Sequence, residues 1–290
     1  MTTTTTTAPP PDVPLDEAWH FVHTDSDYIT VGDDAALTLP DSDWTVAGWV
    51  RFSDMNASPN YQYLISWGTY DTANSFMLFL ASNDDYLYWR IQDGSSNELY
   101  DGTGPNIFRS DSDVWYHVAL VYSGTTLTVY RNNVSVGSET QAMGAINSST
   151  DWNFGRRQDT PTNRYFRGDL AGWAKWDRAL DATDRAYLVN CGAPSDEAVN
   201  EDLAWFCPGD DYTEIVEDLT VTNYGTTIVD TGPCQPATTT TEPPAETTTT
   251  VPAPTTTTSP PVTTTTEPPP AETTTTTEPP EVTTTTAPPV

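Results

Sequence analysis

From about residue 17 onward the chain alternates short apolar runs with clusters of Asp, Asn, Gly and Ser. "EAWHFVH", "DYITV", "DWTVAGWVRF", "YQYLISW", "NSFMLFLAS" and "DYLYWRIQ" follow one another, and "DWNFGRR" and "YFRGDLAGWAKW" come later. Between them lie turn clusters such as "SNDD", "DGSSN" and "YSGTT". Apolar residues at every second position read as half-buried strands, and Gly, Asn and Asp clusters punctuate them. The clearest segment is "VWYHVALVYSGTTLTVYRNNVSVG" (114–137), two strands joined by one tight polar turn and followed by another. The run "FMLFL" is apolar almost throughout, which predicts a central strand. Many short strands at this spacing predict an all-β fold of two packed antiparallel sheets, a sandwich or jelly roll.

The periodicity changes after the last strand. Asp181 with Asp184 three residues on reads as the start of a short helix that stops near Gly192. A second start lies at Ser195, with Asp196 and Glu197 in its first turn and Val199, Leu203 and Phe206 on one face, up to Pro208-Gly209. In a shorter version of that helix, "LAWFC" is a strand instead. One or two short C-terminal helices are therefore expected.

Composition divides the chain. Residues 2–11 and 237–290 are Thr/Pro-rich, and the second stretch holds no aromatic residue, no Gly and no basic residue. Such segments bury too little apolar surface to offset chain entropy and are expected to be disordered tails. The repeating "TTTTEPP" unit favours extended chain, about 3.1 Å per residue and roughly 170 Å in all. The expected organisation is an N-terminal arm (1–16), a jelly roll (17–192), a C-terminal extension packing on it (193–236) and a Thr/Pro/Glu stalk (237–290).

The net charge of −30 includes only six acids in the stalk, so most of it belongs to the folded region. That surface repels nucleic acid and anionic membranes, and neither partner is expected. No apolar run reaches membrane-spanning length. Met1 is followed by Thr, with neither a basic region nor an apolar stretch behind it, so no secretory signal peptide is expected. Cys191, Cys207 and Cys234 match no zinc spacing. They allow one disulfide, with all three pairings open.

Three segments in order, "DWTVAGWVRF" (43–52), "VWYHVALVYSGTTLTVYRNNVSVG" (114–137) and "YFRGDLAGWAKWDRALDATD" (165–184), resemble the laminin-G-like, concanavalin A-like jelly-roll superfamily. The resemblance covers about residues 17–190. The fold it implies is a two-sheet antiparallel sandwich. Two departures stand out. The acidic pair that many members carry after G-x-L is replaced here by Ala171 and Gly172. The leading segment that usually precedes the domain is matched instead by residues 203–233. That segment is expected to supply the missing first strand, in the same sandwich or a neighbouring one.

Hydrolytic relatives use two glutamates along one strand to flank a glycosidic bond. Between Trp44 and Asn190 this chain has only Glu98 and Glu139, in no such pattern. An enzyme is not expected. His117 is read as structural, and His20 and His23, three apart, point to opposite faces. No cofactor is required. Calcium is the one that the resemblance brings in, with Asp93 in "IQDGSSN" and Asp159 in the facing loop as ligands; the alternative is that both are solvated turn residues. Four of the eleven basic residues, Arg156, Arg157, Arg164 and Arg167, crowd into twelve positions. With Trp152, the residues Arg156, Arg157 and Arg164 form a candidate carbohydrate site, aromatic stacking plus guanidinium forks for an acidic sugar. Pairing of these arginines with local aspartates is the alternative.

The function implied is a non-catalytic recognition or adhesion module that binds glycan on a host or cell surface. A bacteriophage virion is the expected setting (tail fibre, head appendage or decoration), with other virion proteins or further copies of the chain as partners, reached through the Thr/Pro tails. A bacterial secreted or surface adhesion protein and a purely structural virion protein are the alternatives.

Overall fold

The computed structural model describes residues 15–32, 35–53, 61–81, 86–102, 113–159, 164–207, 209 and 219–234. The stalk and most of the N-terminal arm lie outside them. In chain order the elements are β1 (Ala18–Phe21), β2 (Tyr28–Val31), β3 (Trp44–Phe52), β4 (Tyr61–Trp67), β5 (Ser75–Ala81), β6 (Tyr86–Gln92) and β7 (Glu98–Gly102). Then follow β8 (Trp115–Ser123), β9 (Thr126–Arg131), β10 (Val134–Thr140), β11 (Trp152–Phe154) and β12 (Gly168–Trp176). The helix α1 (Ala182–Val189) precedes β13 (Leu203–Cys207), β14 (Val221–Tyr224) and β15 (Thr227–Val229).

They form two antiparallel sheets. One runs β10-β9-β8-β3-β12-β1-β15, with β13 also paired to β12; the other runs β14-β2-β11-β4-β5-β6-β7. The segment 114–137 builds β8, β9 and the start of β10. Its second turn places Asn132 and Asn133 both at positive φ (48° and 63°), the conformation that a two-residue hairpin of this kind requires and that Asn tolerates.

Between the sheets the inward positions of every strand interdigitate, among them Trp44, Phe52, Phe76, Leu78, Trp89 and Trp152. Nine of the ten tryptophans are buried, so tryptophan here is core material rather than binding surface. Burying one large apolar side chain contributes about 1.5–3 kcal/mol.

The eight-stranded sheet is also covered on its outside. Ala47, Ala119, Ala171 and Ala174 leave room there for Leu180, Leu188 of α1 and Val199, which pack with Phe206 of the same sheet. Helix α1 starts as expected: the Asp181 carboxylate accepts from the N–H groups of Thr183 (2.7 Å) and Asp184 (2.9 Å), and Asp184 accepts from Asp181 N–H. The second helix does not form. Residues 196–200 make a single turn (Asn200 N–H to Asp196 O, 3.0 Å) and Asp202 adopts φ 57°, which ends it. "LAWFC" then pairs as β13 with residues 173–176 of β12, whose backbone would otherwise lack partners on that side.

β1 pairs with the first half of β12 and β13 with the second, so two short strands from opposite ends of the chain share one long neighbour. The residues after β13 complete both sheets of the same chain: β14 pairs β2 in one, β15 pairs β1 in the other. The segment is tied down by Gly232 N–H to Asp16 O (2.7 Å), Trp115 Nε1–H to Thr231 O (2.9 Å) and a disulfide between Cys191 and Cys234. Cys207 stays outside the bridge, buried in the core. The positions of the family's acidic pair, Ala171 and Gly172, are buried, and Gly172 sits at φ 59° in an irregularity between β12 and β3.

Candidate functional site

The outer face of the seven-stranded sheet is different. β6 sends Leu87, Trp89 and Ile91 into the core, and so points Tyr86, Tyr88 and Arg90 outward. β5 likewise splits: Phe76, Leu78 and Leu80 face the core, while Met77 and Phe79 form a separate cluster with Tyr63, joined by Tyr70 and Tyr88. The run "FMLFL" is therefore central, as its apolar character implies, yet half of it floors an outer surface. In β4 a bulge between Tyr63 and Ile65 shifts the register. It lets Tyr61 and Tyr63 face out while Ile65 and Trp67, at the same parity, face in.

These side chains line a groove of about 150 Å³ bounded by Tyr61, Tyr63, Tyr70, Phe79, Tyr100, Arg157 and Arg164. Tyr63 stacks on Phe79 (centroids 4.8 Å apart), and Phe79 on Tyr88 (5.5 Å). Arg164 lies over Tyr61 (5.1 Å), with Nη1 reaching toward the Tyr63 hydroxyl (3.5 Å). Arg157 lies over Tyr70 at 4.5 Å and forms a two-toothed fork with Asp159. Arg90 packs against the same Tyr70 at 4.6 Å and bridges Asp71 and Glu98. Burial pushes the Tyr63 phenol up from its ordinary value, against the pull of Arg157 and Arg164, so it stays a neutral hydroxyl. Among the described residues Arg164 makes no ion pair with a carboxylate; its contacts are with Tyr61 and Tyr63.

Of the four residues read as a carbohydrate site, the structure brings two together. Arg157 and Arg164 are in the groove. Arg156 turns the other way, over Tyr28 (3.4 Å) with Nε–H to Asn153 Oδ1 (2.7 Å). Trp152 is fully buried, stacked on Trp67 inside the sandwich, and offers no face to a sugar. It occupies an inward position of β11, which the local sequence does not distinguish from an outward one. The aromatic rings that line the groove are instead tyrosines and Phe79, none of them singled out from the sequence. The signal was present: the alternate positions of "YQY", "YLYWR" and "ELY" that oppose the core aliphatics carry Tyr and Arg.

The calcium ligands do not fit. Asp93 is buried and its two oxygens accept from the N–H groups of Ser95 (2.8 Å), Asn97 (2.9 Å) and Gly144 (2.7 Å) and from the Asn97 amide (2.8 Å). Burial raises its pKa, but these bonds outweigh it and hold the carboxyl below the usual range. Its oxygens are thereby committed to tying two loops together. Asp159 is taken by Arg157. Among the described residues no three His, Cys, Asp or Glu side chains converge on a metal position. His117 is buried edge-on to Trp49 at 5.2 Å beneath α1, a packing role. No helix among the described residues is long and apolar enough to cross a membrane.

Known proteins agree with the architecture. The sequence model of one family, described as the concanavalin A-like lectin/glucanases superfamily, matches residues 23–184. Among solved structures, a candidate carbohydrate-binding protein from Bacteroides ovatus aligns at 18% identity with a TM-score of 0.54, covering 75% of this chain and 60% of its own. A heptameric SAP-like pentraxin from Limulus polyphemus aligns at 18% identity and 0.52, covering 77% of this chain and 99% of its own. This chain thus spans less than two thirds of the Bacteroides protein's length. No curated protein matches.

Proposed function

Because this chain belongs to the concanavalin A-like lectin/glucanase superfamily, we propose that it is a non-catalytic glycan-recognition module whose ligand lies along the groove on the seven-stranded sheet. The observation that carries this is the convergence of Tyr61, Tyr70 and Tyr100 with Arg157 and Arg164 around one groove, floored by the buried rings of Tyr63 and Phe79. Aromatic faces stack on the C–H faces of sugar rings, the phenolic hydroxyls and guanidinium groups supply directed hydrogen bonds, and an open fork suits a carboxylate or sulfate. A binding role is also in keeping with the fold shared with the Bacteroides protein described as carbohydrate-binding.

Hydrolysis is a poorer reading. Glu98 is tied to Arg90 and offers no poised acid or nucleophile. A virion or another extracellular setting is our reading of the Thr/Pro tails, which suit a spacer between module and attachment point. The Cys191–Cys234 bridge fits an oxidising environment.

The test is a glycan array with the full chain and with Tyr100→Ala and Arg164→Ala. Each variant is expected to lose about tenfold or more in affinity, the size of one lost stacking or charge-assisted contact. Undiminished binding by both variants rules out the groove. Mass spectrometry of purified virions against culture supernatant decides the setting.

A further inference from the structure

The groove continues beyond Tyr70. A second compartment of about 270 Å³ is bounded by Tyr70, Asp71, Arg90, Glu98 and Tyr100, so Tyr70 and Tyr100 belong to both. The two compartments differ in sign. In the first, Arg157 is neutralised by Asp159 and Arg164 adds a positive charge with no carboxylate paired to it among the described residues. In the second, one guanidinium faces two carboxylates, Asp71 and Glu98, which leaves an excess negative charge.

The hydrogen-bonding capacity differs as well. Arg90 is buried to 8% exposure, and its Nη1 has no hydrogen-bond partner. That nitrogen is sealed from solvent, and Nη2 and Nε are taken by Asp71 and Glu98, so the groups that face the compartment are the two carboxylates that Arg90 holds. The Asp71 side chain is 72% exposed and Glu98 33%, so both keep lone pairs for O–H or N–H donors. A second carboxylate from the ligand meets repulsion there.

We propose that the ligand is an oligosaccharide of alternating charge: an acidic sugar unit at Arg164, joined to a neutral, hydroxyl- or acetamido-bearing unit at Arg90, the two meeting at Tyr70. This rests on the reading of the groove as a glycan site and narrows it to a substrate class. Arg164 selects the acid, and the Asp71–Arg90–Glu98 bridge excludes a second acid next to it.

The experiment is titration calorimetry of the full chain against a panel of tetrasaccharides: alternating glucuronate/N-acetylglucosamine, uniform galacturonate and uniform N-acetylglucosamine. The alternating oligomer is expected to bind tightest, about tenfold above either uniform one. Arg164→Ala should erase its advantage over the neutral oligomer. Glu98→Gln and Asp71→Asn, which preserve shape (Asn accepts the φ of 63° at position 71), should each improve uniform galacturonate by about threefold to tenfold relative to the alternating oligomer. Equal binding across the panel, or tightest binding of a uniform oligomer, overturns the alternation and leaves the glycan site standing. Failure of every carbohydrate, on this panel and on the array, overturns both.

Discussion

The two sheets share a core but treat their outer faces in opposite ways. The eight-stranded sheet presents alanines at Ala47, Ala119, Ala171 and Ala174, and these small positions let Leu180, Leu188 of α1 and Val199 close over it. The seven-stranded sheet presents Tyr61, Tyr63, Phe79, Tyr88 and Arg90, of which Tyr63 and Phe79 floor the groove beneath Tyr70 and Tyr88 while Tyr61 stays exposed. On the proposed function, one face serves stability and the other contact. Perturbing the first should change folding with little change in binding, and perturbing the second the reverse.

The largest expected effect is at Trp176, fully buried under the closing layer with Nε1–H donating to Val199 O (2.9 Å). Trp176→Ala should cost about 3–5 kcal/mol in urea unfolding while binding, measured where the variant is folded, stays as in the native chain. A comparable loss of affinity in folded protein would erase the contrast between the faces.

Next in size is the bridge that pins the closing segment. Cys191→Ser or Cys234→Ser should cost about 2–4 kcal/mol, since 43 residues separate the two cysteines. Amide exchange should rise first in β14 and β15, the edge strands that the segment contributes to each sheet. Uniform acceleration through the core would mean that the bridge stabilises something else.

A subtler difference concerns pH. Burial, reinforced by the Arg185 charge, lowers the His117 pKa to about 3. In the unfolded chain the imidazole titrates near its ordinary 6.5, so it takes a proton there that the folded protein refuses. Stability should therefore fall as pH drops from 6.5 toward 3, and nothing is lost above 6.5. His117→Gln should flatten that part of the profile when unfolding midpoints are compared across the window. A variant profile parallel to the native one would remove His117 as the cause.

The smallest stability effect belongs to the open face. Tyr61 is 37% exposed and Tyr100 47%. Replacing either with Ala should shift stability by about 0.5 kcal/mol or less, although both line the groove. Destabilisation on the scale of Trp176→Ala would show that the face is structural after all.

Much of this was readable one element at a time. The hairpin at 114–137, the central strand "FMLFL", the cap at Asp181 and the family resemblance all rest on local pattern, and local pattern survives tertiary folding when nothing competes with it. The second helix was lost to a competitor: the open side of β12 offered "LAWFC" a ladder of hydrogen bonds. The disulfide pairing and the destination of residues 219–234 depended on which segments the sheets bring side by side.

The site was only half readable. Four clustered arginines signalled an anomaly, and two of them, Arg157 and Arg164, do meet in the groove. Trp152 pointed the wrong way because a three-residue strand carries too little alternation to assign its faces. The tyrosines that replace it come from β4, the adjoining 68–74 loop and β7, and only the sheet brings Tyr100 beside the others. Their contact also requires the bulge at Tyr63/Ile65, which no periodicity announces. The sequence by itself determined the layered β fold and the local chemistry of each strand, because alternation and turn residues act over a few positions. Only the tertiary structure decided which outer face takes a closing layer and which carries the groove. That depends on how residues 178–207 and 219–234 return across the sheets, and long-range packing of this kind leaves no local trace.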